Sequence, residues 1–358
     1  MKKKWIVIPA VVLLGLVGAL LYFPELARFW MAHRPQPKLV IDAAMRRQAI
    51  DTLVARLNEH YVFPEKAKAV EVLLRERQTH GAYDAINDGK KFADQLEADV
   101  ANVVHDLHFG VWYSPSVVAP DLKVTPDLTG RKAQMEGANF IMRLLAPIAL
   151  SRERFGIEKA EHLGPGLGYL QLKAFAPPVM SEDRVASAMD KLADTDALII
   201  DLRGGMGGHP AGVALMISYF VDQRTHLSDV WSRDTGSTTE IWTEDVLKGK
   251  RYGSKKPVVI LVDAETKSGT EDFAYTMQAL KRATIVGTRT WGGAHLARPF
   301  RLADHFIASI PDARSTNPIT HTSWEGTGVI PDVEAAPADA LKVAQELLQR
   351  RTRITARR

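Results

Sequence analysis

Between Gly168 and Thr290 four short apolar runs alternate with three amphipathic segments, and that alternation restricts the chain to few architectures. The runs GYLQLKAF (Gly168 to Phe175), ALIIDLRG (Ala197 to Gly204), PVVILVDA (Pro257 to Ala264) and ATIVGTRT (Ala283 to Thr290) read as strands. Between them, 181–193, 208–221 and 268–281 place apolar residues at three- and four-residue spacing, as helices do. Strands separated by helices predict an α/β layered core. Upstream, 41–61, 64–77 and 90–106 carry the helical spacing without strands between them, which predicts a helical cap subdomain over 36–110 before a core over 111–349. A last helix over 337–351 runs into an arginine-rich end, 350–358, expected to be solvated.

The first 35 residues are of a different kind. Three lysines precede WIVIPAVVLLGLVGALLYF, Trp5 to Phe23, an uncharged run of 19 residues. As a helix it would extend roughly 28 Å, close to the hydrocarbon thickness of a bilayer. The run is long for a signal-peptide core, and no good small-residue cleavage site follows it. An uncleaved transmembrane anchor is the expectation, with the basic end in the cytoplasm and the globular part outside it, periplasmic in a Gram-negative cell.

Composition excludes several function classes. The formal charge is +4, but Lys2 to Lys4 and Arg350, Arg351, Arg353, Arg357 and Arg358 supply eight positive charges at the two ends, so subtracting eight from +4 leaves −4 for the remainder. No basic stripe interleaved with aromatics is present, and nucleic acid is not an expected partner. Cysteine is absent, which removes disulfides, thiolate nucleophiles and cysteine metal sites.

Four segments hold residues that could do chemistry, each with a plainer alternative. In DAETKSGTEDFAYTMQALKR, Ser268 stands at a strand-to-helix turn three residues before Glu271; the pair can be a capping box, or Ser268 can be a nucleophile beside outward-pointing backbone N–H groups. The glycine-rich DLRGGMGGHPAG, Asp201 to Gly212, misses both common phosphate-loop patterns; it is a tight turn, or a place where an acyl group approaches free N–H donors. VVHDLHFGVWY offers His105 and His108, structural residues, a weak metal pair or a general base. Glu325, in TNPITHTSWEGTGVIPDVEAAP, is an exposed loop carboxylate or a group that supports a base. The esterase elbow G-x-S-x-G does not occur.

The order of these segments carries more than any one of them. HDLHFGV, LGPGLGYLQLKAF, LIIDLRGGMGG, KSGTEDFAYTMQALKRATIVGTRTWGGAH and NPITHTSWEGTGVIPDVE, spread over about Ile41 to Gln349, together resemble the tail-specific (C-terminal processing) serine peptidase family, in the branch of interphotoreceptor retinoid-binding protein and the tricorn protease core. That resemblance implies a crotonase-like (ClpP-type) α/β spiral core behind a helical region. It implies Ser268 as nucleophile, His108 as general base, Glu325 in a supporting network, and an oxyanion hole from the N–H of Gly269 with that of Gly207 or Gly208. It implies no cofactor and no metal, and a peptide or protein substrate.

This chain departs from the family pattern in three places. Gly293 stands where the bacterial processing peptidases carry a catalytic lysine, in TWGGA rather than TFGKG. Leu107 stands where the tricorn-like network has a serine before the histidine, and 114–164 does not read as a PDZ module. The expected function is a membrane-anchored, extracytoplasmic serine endopeptidase. The alternative is a non-catalytic binding module for an apolar ligand or peptide on the same fold. Metal-dependent hydrolysis through His105 and His108 is disfavoured for want of a third ligand.

Overall fold

Two apolar strands are buried along their whole length: β5 (Ala197–Asp201) and β9 (Val258–Val262). A strand covered on both faces reads as a continuous apolar run, and these two form the middle of a parallel sheet. The computed structural model describes residues 40–118, 128 and 156–355, with side chains through Arg350. Residues 5–23 and most of 114–164 lie outside them, so the expectations of an anchor and of a missing PDZ module fall on residues not described. Among the described residues no helix is long and apolar enough to cross a membrane.

Chain order supplies the elements around those strands. Helices α1 (Ala43–His60), α2 (Pro64–Thr79) and α3 (Gly89–Val104) come first, followed by β1 (Gly110–Tyr113). Then come β2 (Ile157–Gly164), β3 (Leu167–Leu172), β4 (Ala174–Phe175) and α4 (Pro178–Leu192). After β5 follow β6 (Gly207–Gly208), α5 (Pro210–Ser218), β7 (His226–Ser232) and β8 (Thr238–Trp242). Beyond β9 lie α6 (Gly269–Ala279), β10 (Thr284–Gly287), β11 (Leu296–Ala303), β12 (Phe306–Thr316), β13 (Val333–Glu334) and α7 (Ala340–Thr355).

The main sheet has the order β13-β10-β9-β5-β3-β2, parallel from β13 to β3 with β2 antiparallel at one edge. Because side chains alternate across a strand, Leu198, Ile200, Val258 and Ile260 face one layer, and Ile199, Val259 and Leu261 face the other. The first layer contains Met189 of α4, Met216 of α5 and Phe273 of α6. Ala344 and Leu348 of α7 cover the second. Helix α7 runs to Thr355, past the expected stop at Arg351 and into the arginine-rich end.

A second sheet, β1-β12-β7-β8 with β11 also on β12, is antiparallel throughout. The helical segment is tied to it: β1 pairs with Phe306–Ser309, and the Val62 N–H donates to the Pro311 carbonyl at 2.9 Å. The described residues from Ile41 onward therefore cluster as one unit.

Two of the sequence boundaries move, and both moves matter for the site. The run Gly168–Phe175 is two strands, because at Lys173 the chain leaves the main sheet: its N–H bonds the Gly156 carbonyl and its carbonyl accepts the Met206 N–H at 2.7 Å. Phe175 then pairs with Gly208 in a separate two-stranded ladder. Gly207 and Gly208, expected near the start of a helix, sit at φ +104° and +136°, which only glycine adopts readily, and the helix begins at Pro210.

Candidate active site

Ser268 lies between β9 and α6 with φ +53° and ψ −124°. For a residue with a side chain this backbone costs of order 1–3 kcal/mol and persists only where its surroundings impose it. Those surroundings are specific. The buried Glu271 carboxylate accepts the Ser268 N–H at 2.8 Å, the Thr290 hydroxyl at 2.5 Å, the Gly292 N–H at 2.6 Å and the Gly293 N–H at 3.1 Å. Burial pushes the Glu271 carboxyl above its ordinary range against the pull of these four donors. The Glu271 N–H goes to the Ser268 carbonyl oxygen at 2.8 Å, so the serine hydroxyl is not needed to hold the first turn. Ser268 and Glu271 stand in the expected capping box, and Glu271 also locks the loop 290–293 onto the helix start.

The glycine turn presses directly on the serine. A β-carbon on Gly207 would stand 2.7 Å from the Ser268 β-carbon and 3.1 Å from the Gly269 nitrogen. One on Gly269 would stand 2.9 Å from the Gly208 nitrogen. Neither position tolerates a side chain, and the backbones of Gly207, Gly208 and Gly269 pack against one another beside Ser268. Gly269 is the first helical residue, whose N–H has no partner within the helix.

His108 reaches this place from the other end of the chain. Helix α3 stops at His105, a left-handed cap at φ +53°, and a turn closed by the Phe109 N–H to the Asp106 carbonyl at 3.2 Å leads into β1. His108 and Ser268 line one cavity of about 560 Å³, together with Gly208, Gly269 and His295. Among the described residues no hydrogen bond joins Ser268 and His108, and the His108 Nδ1 is buried without a partner. The ring stands edge-on to Trp291, centroids 5.1 Å apart, and a β-carbon on Gly293 would come 2.8 Å from its Cε1. Burial holds the His108 pKa below its usual value, Asp106 pulls upward and His295 adds a small downward push.

Three further groups form a buried network behind this cavity. Asp106 accepts from His295 Nδ1 at 2.7 Å, from the Tyr61 hydroxyl at 3.3 Å and from the His108 N–H at 3.1 Å. Burial, with the same carboxylate beside it, holds the Tyr61 hydroxyl well above its ordinary pKa. Glu325 accepts the N–H groups of Ala294 at 2.6 Å and His295 at 3.1 Å, and burial raises its pKa. It stands 3.7 Å from His295 Nδ1 and makes no hydrogen bond to His108. Leu107 is 44% exposed, so no side chain at 107 joins the network; the carboxylate one residue earlier does.

Of the residues singled out from sequence, Ser268, His108, Gly207, Gly208 and Gly269 come together, while Glu325 meets the segment carrying His295 instead. His105 is exposed and lines a different cavity, so the H-x-x-H pair does not converge. Among the described residues the one set of metal-ligand types is Asp106, His295 and Glu325, with ligand atoms within 4.8 Å of one another. Sequence reasoning missed His295 and Asp106 as members of the site. Both stood inside the quoted motifs, Asp106 two residues before His108 and His295 two after Gly293.

Residues 166–335 match the model of peptidase family S41, and residues 43–137 match the N-terminal domain of Peptidase S41 in eukaryotic IRBP. The chain is 27% identical over 169 residues to carboxyl-terminal-processing peptidase 2, chloroplastic, of Arabidopsis thaliana, covering 47% of this chain and 32% of that protein. It is 28% identical over 172 residues to the carboxyl-terminal-processing protease of Synechocystis, covering 47% and 38%. The matched segment thus spans about a third of these relatives' length. The structure of the photosystem II D1 C-terminal processing protease aligns over 82% of this chain and 94% of that one, with a TM-score of 0.50 at 17% identity, a likeness of fold. The chain belongs to peptidase family S41.

Proposed function

We propose that this protein is a serine endopeptidase that hydrolyses peptide bonds in peptide or protein substrates through an acyl-enzyme at Ser268, with His108 as general base. One observation carries the reading. A serine held in a strained turn, the closely packed glycines Gly208 and Gly269 and a histidine from 160 positions earlier in the chain line the same cavity.

The chemistry follows from those parts. His108, kept neutral by burial, takes the Ser268 proton as the oxygen attacks the substrate carbonyl. The N–H groups of Gly269 and Gly208 receive the developing oxyanion. The imidazolium returns its proton to the leaving amine, and water, activated by the same histidine, releases the acid. Without a hydrogen bond in the free enzyme, the serine and the imidazole close on each other when substrate enters, as such pairs commonly do. Glu325, with Asp106 and His295, fixes the loop that borders His108 and so supports the base without touching it. The direct test is hydrolysis of a quenched fluorescent peptide by wild type and by Ser268→Ala, with retained folding checked by circular dichroism.

A second assignment of the base has its own support. His295 has the carboxylate partner on Nδ1 that His108 lacks, and it lines the same cavity. His108→Ala and His295→Ala distinguish them, since only loss of the true base removes the pH-dependent step. The mostly apolar cavity wall, with Val213, Ile217, Leu227 and Val230, favours the remaining alternative, a binder of apolar ligands or peptides, and Ser268→Ala would leave such binding unchanged.

We also read residues 1–23 as a membrane anchor that holds the peptidase outside the cytoplasm, from the three lysines and the uncharged run behind them. Carbonate extraction of membranes, with protease accessibility of the globular part, tests this.

A further inference from the structure

Two turns meet at the candidate nucleophile, and one carboxylate oxygen ties the first to the second. Asp263 follows β9 and opens the turn 263–268 that ends at Ser268. Its Oδ1 accepts the Glu265 N–H at 3.0 Å within that turn and the Gly204 N–H at 3.0 Å from the glycine turn after β5. Thr266, fully buried, completes the junction: its hydroxyl accepts the Asp263 N–H at 3.0 Å and lies 3.1 Å from the same Oδ1 and 3.0 Å from the Leu202 carbonyl oxygen. Neither Asp263 nor Thr266 lines the cavity that holds Ser268, so any effect on chemistry there passes through the two turns.

The bond to Gly204 joins residues 59 positions apart and begins a series of contacts between the turns. Next along, the Gly205 carbonyl accepts the Lys267 N–H at 2.9 Å. Beyond it Gly207 packs on Ser268, and Gly208 on Gly269, too closely for a β-carbon on Gly207 or Gly269. Four of the five residues from 204 to 208 are glycine, and Gly204 itself sits at φ +65°. Such a backbone has wide conformational freedom, so where this turn lies is decided by what it is bonded to.

We propose that Asp263 is a positioning residue for the reaction at Ser268: by accepting the Gly204 N–H it holds the glycine turn on the nucleophile turn, and so fixes where the N–H groups of Gly208 and Gly269 stand relative to the serine oxygen. The proposal rests on Ser268 being the acylated residue. A backbone donor stabilises a developing oxyanion fully only when it is already in place, because a donor that must first be moved loses part of its effect to reorganisation. Freed at its first residue, the glycine turn would sample other conformations and present its N–H groups less often at the reacting carbonyl.

The test compares wild type, Asp263→Ala and Asp263→Asn as the full chain, with kcat counted per serine titrated to completion by a fluorophosphonate. A merely structural role would lower the titratable fraction and leave kcat per titrated serine unchanged. Asp263→Ala removes the acceptor, and kcat per titrated serine should fall by about 10²-fold, the usual result of shifting catalytic groups by an ångström. KM should change little, because the oxyanion exists only beyond the bound ground state. Asp263→Asn keeps an acceptor oxygen and should restore most of the loss. A peptide boronate, tetrahedral once on the serine, should lose affinity for Asp263→Ala in step with kcat. If Asp263→Ala does not fold, Thr266→Val, which takes the hydroxyl out of the same junction, should show a smaller loss of the same kind. An unchanged kcat per titrated serine, a loss confined to KM, or equal losses in Asp263→Ala and Asp263→Asn would overturn the proposal while leaving Ser268 as nucleophile. Wild type that neither cleaves peptide nor takes label at Ser268 would remove the nucleophile reading and this proposal with it.

Discussion

His108 and residue 293 compete for one space: a β-carbon on Gly293 would lie 2.8 Å from the His108 Cε1 and 2.3 Å from the Trp291 ring. In the lysine-dependent processing peptidases that this chain resembles, position 293 bears the base. Here the imidazole ring stands where that side chain would begin. Gly293→Ala should therefore displace the rings. We expect kcat/KM to fall by about 10²-fold, the usual result of misplacing a catalytic group by an ångström, with about 1–3 kcal/mol of overpacking in urea unfolding.

The pH profile should report the histidine. Burial disfavours the protonated ring, so the pKa lies below its ordinary ~6.5. The base works when neutral, so activity is kept as pH falls to 6.5 and is lost only at lower pH. An acid limb of kcat/KM centred below 6.5 is expected in wild type and should vanish in His108→Ala. A limb centred above 6.5 would speak against His108.

Glu271 serves stability and site geometry together. Glu271→Ala leaves four donors without their acceptor in a buried place: the Ser268, Gly292 and Gly293 N–H groups and the Thr290 hydroxyl. A loss on the order of 3 kcal/mol or more is expected in urea unfolding. Glu271→Gln keeps an acceptor oxygen and should lose less.

Gly207→Ala tests the glycine turn. Its β-carbon would meet the Ser268 β-carbon at 2.7 Å, at a φ of +104° that alanine resists. Activity should fall far more than stability, since the collision is with the serine and the amides beside it. Equal loss in both, by peptide hydrolysis and thermal unfolding, would mean the turn is only structural.

The sequence made the α/β core legible because its central strands are buried on both faces and so are apolar without interruption, as in VVILV of β9. The antiparallel sheet was harder to see. Strand β8, TTEIW, has three exposed residues followed by two partly buried ones, and β11 carries Arg298, Pro299 and Arg301 among partly buried neighbours, so neither shows a clean alternation. At the site, Ser268 and the glycines were legible as local turn chemistry. Asp106 and His295 were not, because their bond joins residues 189 positions apart.

The most direct measurement is covalent labelling of the folded full-length chain with a fluorophosphonate at neutral pH, followed by peptide mapping. We expect one phosphonyl group per chain on Ser268, none in Ser268→Ala, and labelling slowed by about 10²-fold or more in His108→Ala. Folded wild-type protein that takes no label at Ser268 would contradict the assignment of this chain as a serine peptidase acting through that residue.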